Sequence, residues 1–413
     1  MRTPRLARHV ITASLALALS VLAPGARADV VTDWNETAVI AMAAAGLNGL
    51  QQSRTLAIVH AAIYDAVNSI DRRHSPYVAD VTTPAGASIE AAAASAAYTL
   101  LTSLFWLQTP IFDVALENLL ASIPEGQSRS DGIAVGREAA RAVLAVRASD
   151  GATASVAYTA RTGPGLYQLT PPVNAPPLMP HWGQVRPFTL SNAGQFAVKG
   201  PAPYASAEFA RDFDEVKRLG AKTSSARSKD QTDAARFWVI SGVVTDNSAA
   251  RQVALKKGTS VAENARIFAL LNLAGGDVYI ACWEAKYRLH HWRPITAIRN
   301  AASTGNPALV GDPTWEPLLV TPAHPEYPAG HTCYAGATER VLQESFGDDN
   351  SFTLTFPAMK MTRSYRSFSQ MGKEVIDARV WGGVHYRTTD EHGFDLGRRI
   401  ADHVLQTTLR PRP

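Results

Sequence analysis

The stretch Ser53-Arg-Thr-Leu56-Ala-Ile-Val59-His60-Ala-Ala-Ile63-Tyr-Asp65-Ala-Val67-Asn68-Ser-Ile70 sets apolar side chains three and four apart, at Leu56, Val59, Ile63 and Val67. That spacing follows the 3.6-residue period of an α-helix with one face turned inward. The texture continues on both sides. Residues 36–50 read as a preceding helix, and the alanine-rich 88–107, with Leu100, Leu101, Leu104 and Phe105, suits a helix packed inside a bundle. Helices at 111–122 and 127–148 follow, separated by Pro124-Glu125-Gly126. Further helices are predicted at about 206–219, 228–241 and 261–290, then from His331 to about Phe346, and at 366–380 and 388–408. Pro294 should end or kink the 261–290 helix. The expected fold class is all-α, a helical bundle.

From Gly151 to Pro203 proline and glycine recur among the aromatics Tyr167, Trp182 and Phe188. Proline and glycine resist regular structure, while buried aromatics argue for packing. The segment is predicted to be an ordered connection lying across the bundle and bordering a pocket; a plain interdomain linker is the alternative. The expected organisation is a leader at 1–28, a helical scaffold with this connection at 29–204, and a C-terminal helical half at 205–413, the two halves forming one compact unit.

The leader reading rests on Arg2, Arg5 and Arg8 before the apolar Val10 to Ala23, with small residues around Ala26 and Ala28 at a cleavage position. It implies export, to the periplasm or the medium, with a mature chain beginning near Asp29. Removing it takes Lys+Arg from 40 to 36 (Arg2, Arg5, Arg8 and Arg27), against 36 Asp+Glu. The excess of +4 therefore belongs to the leader, and a nucleic-acid partner has no charge behind it. No later segment reaches eighteen uninterrupted apolar residues, so no membrane span is expected in the mature chain. Cys282 and Cys333 are too few for a disulfide framework; they could pair on export, but buried free thiols are expected.

Three short segments carry candidate chemistry. In Lys286-Tyr-Arg-Leu-His-His-Trp-Arg293-Pro294, a lysine and an arginine seven apart would share one helix face. In His324-Pro-Glu-Tyr-Pro328-Ala329-Gly330-His331, a turn opens a helix whose first amides favour an anion, beside a histidine able to exchange protons near neutrality. In Ala378-Arg379-Val-Trp-Gly-Gly-Val-His385-Tyr-Arg387, Gly382-Gly383 lets an arginine and a histidine approach closely. Singly, each has a plain reading: a solvated basic face, a helix-start histidine, a glycine turn. A divalent-metal site from Glu284, His290 and His291 is weaker, because adjacent histidines point in different directions.

In order and spacing together, Lys-six-Arg-Pro, Pro-x-Gly-His and Arg-five-His resemble the three-part signature of the type 2 phosphatidic acid phosphatase / vanadium-dependent haloperoxidase superfamily, and resemble most its bacterial haloperoxidase-like branch. The likeness extends to His60-Ala-Ala-Ile-Tyr-Asp65-Ala-Val-Asn68 and Phe237-Trp238. The resemblance implies that Lys286, Arg293, Arg379 and the Gly330 amide bind a tetrahedral oxyanion, guanidinium forks matching planar oxygen arrays. His385 would bond the central vanadium or phosphorus, and His331 would act as acid–base on the other side. Trp283 and His324 would border a halide pocket.

Two positions depart from the family pattern. Ala329 stands where a serine is usual, removing one hydrogen bond to the oxyanion. The acid usual four residues after the last histidine is Thr389 here, with Asp390 one step later as a substitute. Two reactions fit the implied cradle. With vanadate as cofactor, Lys286 polarises bound peroxide and halide is oxidised. Without a cofactor, a phosphate ester is hydrolysed through a phosphohistidine. The export leader and long helical N-terminal half favour the haloperoxidase; a non-catalytic oxyanion binder is the third reading.

Overall fold

The computed structural model describes residues 29–412. The leader at 1–28 lies outside the described residues. Asp29 opens α1 (Val30–Ala44): its carboxylate accepts the Val31 and Thr32 amides, and Thr32 closes a capping box. Asn48 and Gln51 repeat the device at α2 (Gly49–Asp71), so the first two helices part at 45–48. α3 (Ile89–Leu104) runs through a 3-10 turn into α4 (Thr109–Ala121), followed by α5 (Gln127–Arg147). α2, α3 and α5 pack together as an N-terminal group.

After the irregular connection come α6 (Ala207–Leu219), α7 (Lys229–Phe237), α8 (Gly242–Lys257) and α9 (Val261–Leu289). The helix expected over 228–241 stops at Phe237, and α8 was not expected. The reason is chemical: Thr245, Asp246 and Asn247 are buried in α8, so its inward face does not read as apolar. Asn247 pairs with Asn272 at 3.0 Å and with Asn35 at 2.8 Å, and Asn35 reaches His60 at 2.7 Å. This polar network ties α1, α2, α8 and α9, with His60 Nδ1 left without a partner among the described residues.

α9 ends within one residue of the expected position 290, and Pro294 has a different part from the one expected. His290 takes a left-handed φ of 53° and closes the helix. Pro294 then opens α10 (Pro294–Arg299), at the first-turn position where its missing N–H costs nothing. Lys286 and Arg293 therefore do not share a helix face; Arg293 lies beyond the end of α9. α11 (Gly330–Phe346) follows, then a hairpin of β1 (Phe352–Phe356) and β2 (Met361–Tyr365), in register Phe352 to Tyr365. The chain ends with α12 (Phe368–Trp381) and α13 (Arg387–Thr407). The small hairpin, unexpected from the sequence, leaves the helical class intact.

α9 is the axis of the molecule, packed against α2, α11 and α13. Among the described residues it is the one helix long and apolar enough to cross a membrane, and 94% of that apolar window is buried inside the protein. Two buried carboxylates fix irregular chain to this core. Asp65 on α2 accepts the amides of Tyr77, Val78 and Ala79 at 2.7–2.9 Å. Asp277 on α9 accepts the amides of Phe188, Thr189 and Leu190 at 2.6, 2.8 and 3.2 Å. The Pro/Gly-rich connection is thus ordered and bound across the bundle, and Leu178 within it reaches the cavity described below. Asp277→Ala leaves three amides without their acceptor and should cost roughly 3 kcal/mol or more; an unchanged urea midpoint would contradict this account of the connection.

Candidate active site

The three segments singled out in the sequence meet at one cavity of about 460 Å³, bordered by Gly330, His331, Arg379 and His385. Lys286 and Arg293 stand directly behind its wall. Lys286 and Arg293 are 0% exposed and Arg379 1%. Burying a cation costs several kcal/mol unless its donors are satisfied, and here backbone carbonyls do most of that. Lys286 Nζ donates to Pro325 O and Glu326 O, both at 2.9 Å. Arg293 Nε donates to His324 O at 2.9 Å and Nη1 to Val384 O at 2.7 Å. Arg379 Nη1 donates to Trp238 O at 2.8 Å, while its Nε has no partner among the described residues.

Burial pushes Lys286 down to about 8, with the Arg293 charge adding to the effect, and pushes both arginines down to about 10. All three remain charged at neutrality. The histidines behave oppositely: burial, then the nearby cations, hold His331 and His385 well below their usual range, so both are neutral. The result is a positive pocket with uncharged imidazoles, an arrangement that favours an anion.

The orientation of His385 comes from a residue the sequence reading passed over. Glu326, 0% exposed, places Oε1 2.8 Å from His385 Nδ1 and accepts the Tyr386 amide at 3.2 Å. Thr389, at the position of the usual acid, donates its hydroxyl to Glu326 Oε2 at 3.0 Å. Burial raises Glu326 to about 7, against the pull of Arg293 and Lys286. With its proton held on Nδ1, His385 presents a lone pair at Nε2, where Arg293 Nη1 now donates at 3.1 Å. Asp390 does not take this part. Both its oxygens lack partners among the described residues, and burial raises it well above the carboxylate range. The acid supporting His385 thus arrives from the turn before α11. Its sequence signal was a lone glutamate in the apolar, proline-rich stretch that also supplied His331.

A second segment, whose Phe237-Trp238 was noted only as part of the resemblance, also serves the site. Trp238 O anchors Arg379, the Ile240 backbone hydrogen-bonds the His331 ring, and Val239 and Ser241 border the cavity. His331 Nε2 has no partner among the described residues. Gly330 opens α11 at the wall, where an added Cβ would stand 3.1 Å from Trp283 and 3.9 Å from Lys286 Cε. Ala329 occupies the N-cap position and offers no side-chain cap. Trp283 and His324 border the cavity with ring centroids 4.8 Å apart.

Glu284, His290 and His291 do not converge. Glu284 pairs with Arg288 at 2.7 Å, and His291 Nδ1 faces the Tyr204 hydroxyl at 3.1 Å. No cluster of three metal-ligating side chains occurs among the described residues. Cys282 and Cys333 are buried free thiols.

Known proteins share these features to different extents. The family model described as the VCPO second helical-bundle domain matches residues 266–412, the part holding all three motifs. A vanadium chloroperoxidase of Curvularia inaequalis is 26% identical over 200 residues, 40% of this chain; the match spans 32% of that relative's length. A solved structure described as the first bacterial vanadium-dependent iodoperoxidase superposes with a TM-score of 0.79 at 26% identity, covering 93% of this chain and 97% of that one. A bacterial vanadium-dependent chloroperoxidase in its apo form shares the fold, with a TM-score of 0.68 at 17% identity over 86% and 92% of the two chains. With the signature motifs gathered at one cavity of the same helical fold, the chain is similar to vanadium-dependent haloperoxidases in motif, sequence and architecture.

Proposed function

We propose that the protein is an exported, vanadate-dependent haloperoxidase that oxidises halide with hydrogen peroxide. The observation that carries this reading is the His385–Glu326 contact inside a cluster of three buried cations. It offers one nitrogen lone pair to the centre of an oxyanion whose oxygens the cations would neutralise. The residues fit vanadate on their own chemistry. Arg379 Nε and His331 Nε2 have no partner among the described residues, Gly330 brings bare backbone to the wall, and His385 Nε2, where Arg293 Nη1 now donates, is the lone-pair nitrogen of an oriented imidazole.

Lys286, Arg293, Arg379 and the Gly330 amide would hold the oxygens, and His385 Nε2 would bond the metal. Bound vanadate supplies Lewis-acid activation of peroxide without changing oxidation state. Glu326 keeps the His385 proton on Nδ1 and raises the basicity of Nε2, as carboxylate partners of metal-bound histidines do. His331, neutral and hydrogen-bonded to the Ile240 backbone, can accept a proton at Nε2 and return it. Lys286 keeps positive charge beside the reacting oxygens at neutral pH.

Export is part of this reading and is supported by the basic and apolar start of the chain and by Asp29, which caps α1 without needing the residues before it. Protein recovered from the exported fraction should begin at Asp29 by mass. It should oxidise bromide or iodide only with peroxide and vanadate together. Phosphomonoester hydrolysis that vanadate inhibits, without halide oxidation, would replace this reading with a phosphohistidine phosphatase.

Glu326→Gln keeps an acceptor for Nδ1 but removes the charge, and should raise the vanadate concentration for half-maximal activity by about 10–100-fold. An unchanged value would show that Glu326 does not support the ligand. The Lys286 charge is present below its pKa and lost as pH rises through about 8. Vanadate affinity should therefore fall above that pH, and the same titration of Lys286→Met should lack this loss.

A further inference from the structure

One face of the molecule is apolar and uncovered. Trp106 and Leu107, in the turn between α3 and α4, are 72% and 74% exposed, and Ile111 and Val114 continue along α4 at 53% and 57%. Leu107, Ile111 and Val114 are spaced four and three apart, which lines them up on one side. The other side of α4 already packs inward through Phe112, Leu116 and Leu119. A helix that is apolar all round is normally buried, yet in α4 Phe112 alone is. Ile40 on α1, 40% exposed, extends the face, and the Gln108 side chain ties the turn to Ala41 O at 3.0 Å.

Beside this face lies a hollow of about 180 Å³, lined by Leu47, Arg54, Leu104, Phe105, Thr153 and Trp182. Leu104 and Phe105 directly precede Trp106, so the projecting indole and the hollow share an edge. The stretches that build the face, 37–53 and 91–112, contain no Asp, Glu, Lys or Arg. A partner is therefore selected by shape and apolar surface, not by charge. A knob next to a hollow on one uncharged face is self-complementary: a second copy related by a two-fold axis brings its hollow to this knob and its knob to this hollow.

The extent of the face agrees with such a contact. Its exposed side chains amount to roughly 500 Å², near the top of the range for the largest apolar patch of a monomer. Two such faces together bury about 1,000 Å², where specific interfaces begin. A lipid surface suits the face less well. Helices that lie on membranes carry lysine or arginine on their polar side, whereas α4 carries Asp113 and Glu117 and no basic residue.

We propose that two copies of this chain associate about a two-fold axis, each seating Trp106 in the other's hollow at Leu47, Phe105 and Trp182. Leu47 and Gln51 line the hollow, while Gly49 and Leu50, between them, border the oxyanion cavity, so the partner braces one wall of the site. Sedimentation velocity of purified protein beginning at Asp29, where the fold begins, should show a dimer at micromolar concentration. Trp106→Glu and Thr153→Arg should each raise the dimer dissociation constant by more than about tenfold, as loss of a central anchor does. Both positions are exposed, so far-UV circular dichroism should be unchanged. The Trp106→Glu/Thr153→Arg double variant should recover the dimer, because the glutamate of each copy then meets the arginine of the other. Wild-type protein that stays monomeric well above micromolar concentration, or a dimer indifferent to both single variants, would overturn the proposal. A double variant no better than the single ones would refute the seating of Trp106 beside Thr153. Monomeric protein that floats with phosphatidylcholine vesicles, and loses this with Trp106→Glu, would reassign the face to lipid.

Discussion

Three cations taken out of water within one cavity wall dominate the energetics of this protein. Charges at such depth are tolerated only where the geometry of their partners is excellent. Here the partners are chiefly carbonyl oxygens at Trp238, His324, Pro325, Glu326 and Val384, each offering a dipole rather than a full charge. Dipoles satisfy donors without cancelling charge. The pocket can therefore be fully hydrogen-bonded at its back and remain positive at its front. This explains why so much of the C-terminal half consists of precisely held loops between helices: the carbonyls must come from chain that is not spending them on helical bonds.

The same constraint explains the neutral imidazoles. A protonated histidine beside three cations would be strongly disfavoured, so His331 and His385 hold single protons whose positions neighbouring groups determine. For His385 that neighbour is Glu326, itself braced by Thr389 and the Tyr386 amide. The support for His385 thus comes from a carboxylate in the turn before α11, with a threonine of α13 bracing it. The chain before His385 is closely packed. An added Cβ on Gly383, which has a φ of 75°, would come within 2.5 Å of Gly220 O.

Much of the helical architecture was legible because α2, α3, α5 and α9 repeat apolar residues at helical spacing. α8 was not, because Thr245, Asp246 and Asn247 face inward and find hydrogen-bond partners only after folding. Lys286 and Arg293 were wrongly placed on one helix face because His290 terminates α9 in a left-handed conformation usually left to glycine. The motif residues were readable because each lies near a turn signal. Glu326 and the 238–241 segment were harder to find, since their parts are defined by contacts with residues 59 and 141 positions away. Spacing within one segment carries no information about such partners.

The Asp277 clamp has a consequence for how this scaffold can diversify. It holds the Pro/Gly-rich connection chiefly by backbone amides, so the clamp itself sets few of that connection's side chains, although Trp182, Val185 and Leu190 are fixed by burial in the core. Leu178 and Pro176 border the cavity from this segment, whereas the cations and imidazoles come from α9, α11, α12 and the loops that follow α9 and α12. Part of the cavity wall and the charged centre are therefore encoded on separate stretches of chain, and substitutions at Ala175, Pro176 or Leu178 could reshape the wall without replacing a charge there.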